Sequence, residues 1–380
     1  MPTSQHPQVP KWEPPASTKE NLDYIQLANL DLSKFDDPES RKELAQEFFK
    51  AFTEEGFVTV TGHGISEETW DMQMDLANAT MTMSPEDKVA YEVTKEEDEQ
   101  GVYVGFKTAG GLGFHKEIDF YNMLLNDPKK GRAHPPHLAP YMEETRKVML
   151  HVRDEIQRKF FVLLALCLQI PEQDMLATHV PGESSFEYYR YMSYAPLSPE
   201  ATAKARGIFM PAHADWGTFS ILFSQPVSAL QILDKSGVYK WVEYKPYTLI
   251  VNVGQALELL TGGLFPATIH RVVTPPRDQA GSLRVGIFYF SRPNDDLPLR
   301  PLPRSPVLRI LGRDKPLDPT ATYTTAEFLE AKKHGYLKPE LDFDRPRDAS
   351  VHCDPFREGD RFAAADRLLA SIVRPKEVSA

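Results

Sequence analysis

His213 and Asp215 stand two residues apart in PAHADWGTFSILF (211–223). On a β-strand, residues i and i+2 project from the same face, so the two side chains point together. An imidazole beside a carboxylate is two-thirds of the facial triad that holds non-haem Fe(II) and leaves three coordination positions open. The third ligand must come from elsewhere, and His270 in FPATIHRVVTPP (265–276) is the best candidate. It follows an apolar strand-like run, LIVNVGQALELL (249–260), and a glycine turn that can return the chain to the same place. Of the eleven histidines, His213 and His270 are the two set in strand-like segments with apolar flanks and a neighbouring partner. A His-x-Asp spacing alone also describes a hydrogen-bonded surface couple, so the reading needs a further component. Iron chemistry driven by a keto acid requires a cation for the distal carboxylate, and a guanidinium binds one in bidentate fashion. Arg284 lies 14 residues after His270 in GSLRVGIFYFSRP (281–293), where Arg284, Gly286, Phe288 and Phe290 share one strand face. Burying that arginine is costly unless a carboxylate meets it, either an internal one or that of a bound acid.

Elements that could position these groups are legible around them. SRKELAQEFFKAFTEEG (40–56) places Leu44, Phe48, Phe49 and Phe52 at helical spacing, with Ser40 as cap and Gly56 as stop. FVTVTGHG (57–64) alternates like a strand. Further helices are expected from about 66 to 80 and after Ser84-Pro85-Glu86-Asp87. The five glycines of 101–115 predict a loop, a candidate lid bringing Phe106, Phe114 or Lys116 towards a substrate. The longest helix is expected between about 138 and 168, buried along Leu150, Val152, Ile156, Phe160, Leu163, Leu164 and Cys167. From Phe186 to Pro293 short β-rich runs alternate with turn signals. Helices first and strands second predict an α+β protein around an antiparallel sandwich or barrel. The expected organisation is a disordered proline-rich arm (1–20), a mainly helical part (21–180), the β core with the metal site (181–299), and a C-terminal extension (300–380) with helices at 324–335 and 360–373.

Composition narrows the function classes. A net charge of −11 argues against general affinity for nucleic acid or anionic lipid. No apolar run approaches the roughly 20 residues of a membrane helix, and the first residues lack the basic start and apolar stretch of a signal peptide. Two cysteines, Cys167 and Cys353, exclude a disulfide scaffold and fit a reducing cytoplasm. His134-Pro135-Pro136-His137 reads as a surface turn rather than a metal pair, and Arg190 is expected in a structural ion pair, with a substrate acid as the alternative partner. Of the tyrosines at 188, 189, 191 and 194, only those facing inward should line a pocket.

Several ordered motifs together resemble the isopenicillin N synthase-like family of 2-oxoglutarate/Fe(II) dioxygenases. EEGFVTVTGHGI (54–65), MSPEDKVAY (83–91), YRYMSYAP (189–196) and LQILDKSGVYKWVEYKPYTLIVNVGQALELLTGGLFPATIHRV (230–272) match its successive signatures, so the similarity spans 22 to about 293. The resemblance implies a double-stranded β-helix (jelly-roll) core flanked by N-terminal helices, and the use of Fe(II), 2-oxoglutarate and O2, with ascorbate helpful in vitro. Carried over, His213, Asp215 and His270 would be the iron ligands, Arg284 would bind the distal carboxylate of 2-oxoglutarate, and Tyr194 would hydrogen-bond the same co-substrate. Two positions depart from the pattern. Gly286 replaces the serine of Arg-x-Ser, a loss that Ser282 or Tyr194 could offset, and Gln255 stands where many members have Asp. The expected activity is oxidation (hydroxylation, desaturation or rearrangement) of a small organic molecule in secondary metabolism. A same-fold oxidase that needs no 2-oxoglutarate, an ethylene-forming variant and a non-catalytic small-molecule binding protein are the alternatives.

Overall fold

The computed structural model describes residues 9–99, 102–108, 117–129, 131–180, 187–317 and 323–334. Helices α1 (Pro38–Glu54) and α2 (Glu67–Met81) are followed by the short α3 (Pro85–Val89) and α4 (Lys95–Glu99). Asp37, Ser66 and Ser84 cap the first three, each side-chain oxygen accepting a backbone N–H of the first turn. Helix α5 (Met142–His151) runs through a π-helical turn (Val152–Gln157) into α6 (Arg158–Leu168). The π turn shifts the helical phase, so Val148 and Met149 are buried ahead of Val152, Ile156 and Phe160, while Leu150 is only half-buried. The later helices are α7 (Glu172–Leu176), α8 (Pro199–Lys204), α9 (Gln255–Leu260), α10 (Pro306–Ile310) and α11 (Thr325–His334).

Twelve strands among the described residues form two sheets that make the jelly-roll, as the α+β reading expects. They are β1 (Asn29–Asp31), β2 (Phe57–Thr61), β3 (Gly105–Thr108), β4 (Ile118–Leu124), β5 (Tyr188–Tyr194), β6 (Ile208–His213), β7 (Phe219–Phe223), β8 (Leu230–Leu233), β9 (Tyr239–Trp241), β10 (Leu249–Val253), β11 (His270–Val273) and β12 (Arg284–Phe290). The large sheet has the order β1-β2-β10-β7-β12-β5-β4-β3 and the small one β6-β11-β8-β9. Of these neighbouring strands, only β1 and β2 pair in parallel.

The large sheet is covered on both faces. Val58, Val60, Ile221, Phe223, Val251, Ile287 and Tyr289 pack against Phe48, Phe52 and Phe160 of the helical layer. Its other face meets the small sheet. Phe120, Met192 and Tyr194 touch Phe209 and Val272, and Phe57, Leu222 and Ile250 touch Leu230 and Ile232. This two-sided burial explains why β2 alternates in type yet is buried at Phe57 and Thr59 as well as Val58 and Val60. Each fully buried aromatic stabilises the fold by roughly 1.5–3 kcal/mol relative to exposure.

Three expectations change. Residues 105–108 are strand β3 rather than loop, and Phe106 is 1% exposed against Tyr121, so it is not part of a lid. Phe114, Lys116 and the helix expected at 360–373 lie outside the described residues. Residues 9–20 carry no regular element, but they are tied down rather than loose. Trp12 N–H donates to Asp75 Oδ1 (2.6 Å), and the Thr18 hydroxyl and Lys19 N–H both donate to Asp278 (2.7 Å each). Gln279, 2% exposed, joins three segments: its Nε2 donates to the Ala16 carbonyl (2.7 Å) and the Pro226 carbonyl (2.8 Å), and its Oε1 accepts Ser228 N–H (2.9 Å). Beyond residue 298, Leu299, Leu302, Val307, Leu308 and Phe328 join the core of the helical layer, and the Ser305 hydroxyl donates to the Leu168 carbonyl.

Candidate active site

Strands β6 and β11 pair antiparallel with His213 directly opposite His270. Their ring centroids are 4.4 Å apart, and the Nε2 of each lies 3.8 Å from Asp215 Oδ1. One ligand atom from each of the three residues falls within 4.8 Å of the other two. His213 Nδ1 is 2.9 Å from the Pro211 carbonyl and His270 Nδ1 is 3.1 Å from the Thr268 carbonyl. A carbonyl can only accept, so each Nδ1 carries a proton, and Nε2 is the ring nitrogen that faces Asp215. The aspartate is held just as firmly. Its Oδ2 accepts from the Ser220 hydroxyl (2.6 Å) and Asn252 Nδ2 (2.8 Å), which leaves Oδ1 to face the imidazoles. Burial disfavours the charge on Asp215, but His270, His213, Ser220 and Asn252 outweigh it and hold the carboxyl below its ordinary range. Sequence reasoning misses Ser220 on β7 and Asn252 on β10, since their roles appear only when those strands are laid beside the Asp215 turn.

The turn carrying Asp215 is fixed by backbone. Gln255 N–H donates to the Asp215 carbonyl (2.8 Å), Gly254 N–H to Thr218 (2.9 Å) and Thr218 N–H to Ser291 (2.9 Å). A Cβ on Gly254 would collide with the Gly217 backbone, and one on Gly217 with the Ser291 carbonyl, so only glycine permits this approach. The Gln255 side chain is wholly buried, with neither amide atom hydrogen-bonded.

Further along the barrel, Arg284 lies opposite Tyr194 on β5, its guanidinium 4.7 Å from the ring centroid. It is 3% exposed, and Nε and Nη1 are buried without a hydrogen-bond partner. Burial pushes its pKa below the ordinary arginine value, against the Tyr194 hydroxyl. Among the described residues no carboxylate forms an ion pair with it. The Tyr194 hydroxyl is 3.5 Å from Met192 Sδ. Arg190, further along the same face of β5, also forms no ion pair with a carboxylate among the described residues, where the sequence predicts a structural one. Its Nε donates to Asn122 Oδ1 (2.7 Å), and its guanidinium lies over the rings of Phe120 (4.1 Å) and Phe290 (4.9 Å). Burial lowers its pKa to about 10, with Tyr188, Tyr194 and Asp215 opposing.

Tyr189 and Tyr191 turn the other way, both donating to Gln73 Oε1 at 3.0 Å in the helical layer, so Tyr188 and Tyr194 are the inward pair. His134 and His137 bond separately, to the Tyr121 hydroxyl (2.7 Å) and Thr80 Oγ1 (3.0 Å).

Comparison with known proteins agrees with this geometry. Residues 187–293 match the 2OG-Fe(II) oxygenase superfamily, and residues 27–141 match the N-terminal domain described as non-haem dioxygenase in morphine synthesis. The chain is 25% identical over 288 residues to a homoarginine-6-hydroxylase of Glycine max, covering 71% of this chain and 85% of that protein. It is 26% identical to scopoletin 8-hydroxylase of Arabidopsis thaliana, covering 72% of each. A full-length Neurospora crassa protein, solved in complex with alpha-KG and 5-formyluracil, shares the fold with a TM-score of 0.69 at 18% identity, over 83% of this chain and 97% of that one. The chain belongs to the isopenicillin N synthase-like 2-oxoglutarate/Fe(II)-dependent dioxygenases. It is a non-haem iron enzyme that uses Fe(II), 2-oxoglutarate and O2. No helix among the described residues is long and apolar enough to cross a membrane.

Proposed function

We propose that the enzyme oxidises a small organic molecule of secondary metabolism in the cytoplasm, with His213, Asp215 and His270 holding the iron and Arg284 binding the distal carboxylate of 2-oxoglutarate. The observation that carries this reading is the convergence of two Nε2 atoms and Asp215 Oδ1 on one point, each side chain fixed from behind by a hydrogen bond. Two nitrogen donors and one carboxylate fit Fe(II) with positions left for co-substrate and O2. Bound there, iron with 2-oxoglutarate and O2 supplies the oxidant that removes a hydrogen atom from the substrate, with succinate and CO2 as by-products. The chain's own residues supply orientation. Arg284 presents two unpaired N–H groups to a carboxylate, with the Tyr194 ring beneath them, and the apolar walls at Phe120, Met192 and Phe209 exclude water.

Arg190 supports an acidic substrate. It is a half-buried cation on the barrel's inner face, with no carboxylate in ion-pair distance among the described residues, and close enough to Asp215 to feel its charge. The test is a product screen by mass with Fe(II), ascorbate and 2-oxoglutarate, in which metabolite acids are paired with their primary amides. Succinate release coupled to oxidation of an acid, and not of its amide, is the expected result. Oxidation without 2-oxoglutarate consumption would favour the oxidase reading, and binding without turnover the receptor.

A further inference from the structure

The strand that carries Arg284 is missing a side chain two residues later, at Gly286, on the same face. The space is not empty. A Cβ at 286 would lie 2.5 Å from Gln225 Nε2, 3.3 Å from Gln225 Cδ and 3.0 Å from Phe288 Cε2, so the Gln225 amide fills the volume that a side chain on 286 would occupy. Gln225 follows β7 and precedes Pro226, whose ring restricts the residue before it to extended backbone. Pro226 is anchored in turn through its carbonyl by Gln279. The Gln225 side chain is 7% exposed, and neither Nε2 nor Oε1 has a hydrogen-bond partner. Two buried polar groups, the Arg284 guanidinium and the Gln225 amide, therefore stand on one face with unused donors. A buried donor left unpaired is expensive, and neighbouring orphans point to one shared acceptor.

We propose that Gln225 binds the distal carboxylate of 2-oxoglutarate together with Arg284, its Nε2–H replacing the donor that β12 lacks at Gly286. This rests on the reading of Arg284 given above and adds a residue that comes from another strand. Neither Ser282, in the turn before β12 with its N–H on the Gln279 carbonyl, nor Tyr194, beneath the guanidinium, occupies that space. The exchange is reciprocal: a side chain at 286 and the Gln225 amide exclude one another.

Equilibrium binding to the Fe(II)-loaded protein without O2, followed by calorimetry and by the visible charge-transfer band, tests this without turnover. Gln225→Ala should weaken 2-oxoglutarate about tenfold or more, as expected for a lost hydrogen bond to a charged group, and leave oxalate, which has no distal carboxylate, unchanged. Gln225→Glu keeps the volume but sets an anion against the carboxylate, and should weaken 2-oxoglutarate further. Gly286→Ser alone should disturb the site, whereas Gln225→Ala with Gly286→Ser should recover most of the lost affinity. Wild-type affinity in both Gln225 variants, equal losses for oxalate, or no recovery in the double variant would each overturn the proposal. Arg284→Ala separates the two levels: if it also leaves 2-oxoglutarate affinity intact, the reading of Arg284 fails; if it weakens binding while the Gln225 variants do not, only the role of Gln225 fails.

Discussion

At the scale of single residues, the site separates groups that face the metal position from groups that aim them. In the proposed iron site, His213, His270 and Asp215 each commit one polar atom to the protein and would turn the other to the ion. His270→Ala should therefore abolish iron-dependent turnover and most iron binding, measured by metal content after anaerobic reconstitution. Ser220→Ala and Asn252→Ala leave all three candidate ligands in place, and each removes one of the two hydrogen bonds to Asp215 Oδ2. Each should reduce iron affinity or turnover by about 10- to 100-fold, the usual effect of losing a group that orients a metal ligand. Iron affinity at the wild-type level in both variants would show that the aspartate holds its rotamer unaided. The three ligand candidates are legible in the sequence because His-x-Asp spacing is local and His270 has a strand context. Ser220, Asn252 and Gln225 are not, since a serine, an asparagine and a glutamine carry no signal until the strands that bear them are placed side by side.

At the scale of elements, pairing register does the positioning. β6 and β11 bring the two histidines face to face, and the Gly217–Gly254 contact presses the Asp215 turn against the start of α9. Gly254→Ala inserts a methyl group into the Gly217 backbone, so the turn must shift. A loss of more than about 2 kcal/mol in urea unfolding, typical of forced overpacking, should accompany weaker iron binding. Wild-type stability would mean that the turn yields freely. Periodicity identifies β2, β7, β12 and the long helix, whereas the apolar run 249–260 expected as one strand is strand only over β10 and continues as helix α9 from Gln255. Periodicity also misassigns 105–108, where glycines mask a strand that is stabilised by Tyr121 and Phe120 of β4 rather than by its own sequence. The π turn in the long helix is likewise invisible, since one extra residue in a turn alters phase without altering composition.

At the scale of the whole molecule, the helical layer and the barrel share partly buried histidines whose protonation opposes folding. His179, between Phe161 and Thr218, is pushed by burial from 6.5 to about 3. Unfolded, it binds a proton below pH 6.5; folded, it does not until about pH 3. Proton binding therefore favours the unfolded chain across that window, and stability falls as pH drops, by at most about 1.4 kcal/mol per unit from this group. His63, His134 and His137, also lowered by burial, act in the same direction. His179→Asn should flatten the decline in urea midpoint between about pH 6.5 and 5, and an unchanged slope would remove His179 as a cause.

The N-terminal strap gives the proposed co-substrate pocket a remote support. Through Gln279 the backbone at Ala16 is stitched to the stretch that begins at Gln225 and to the loop that delivers Arg284. A chain shortened to begin at residue 21 would lose that stitch and the Asp278 clasp together. Keto-acid affinity should then slacken even though no residue near the iron has been altered, and a segment that looks like mere packaging would prove to be a tensioning cord for catalysis.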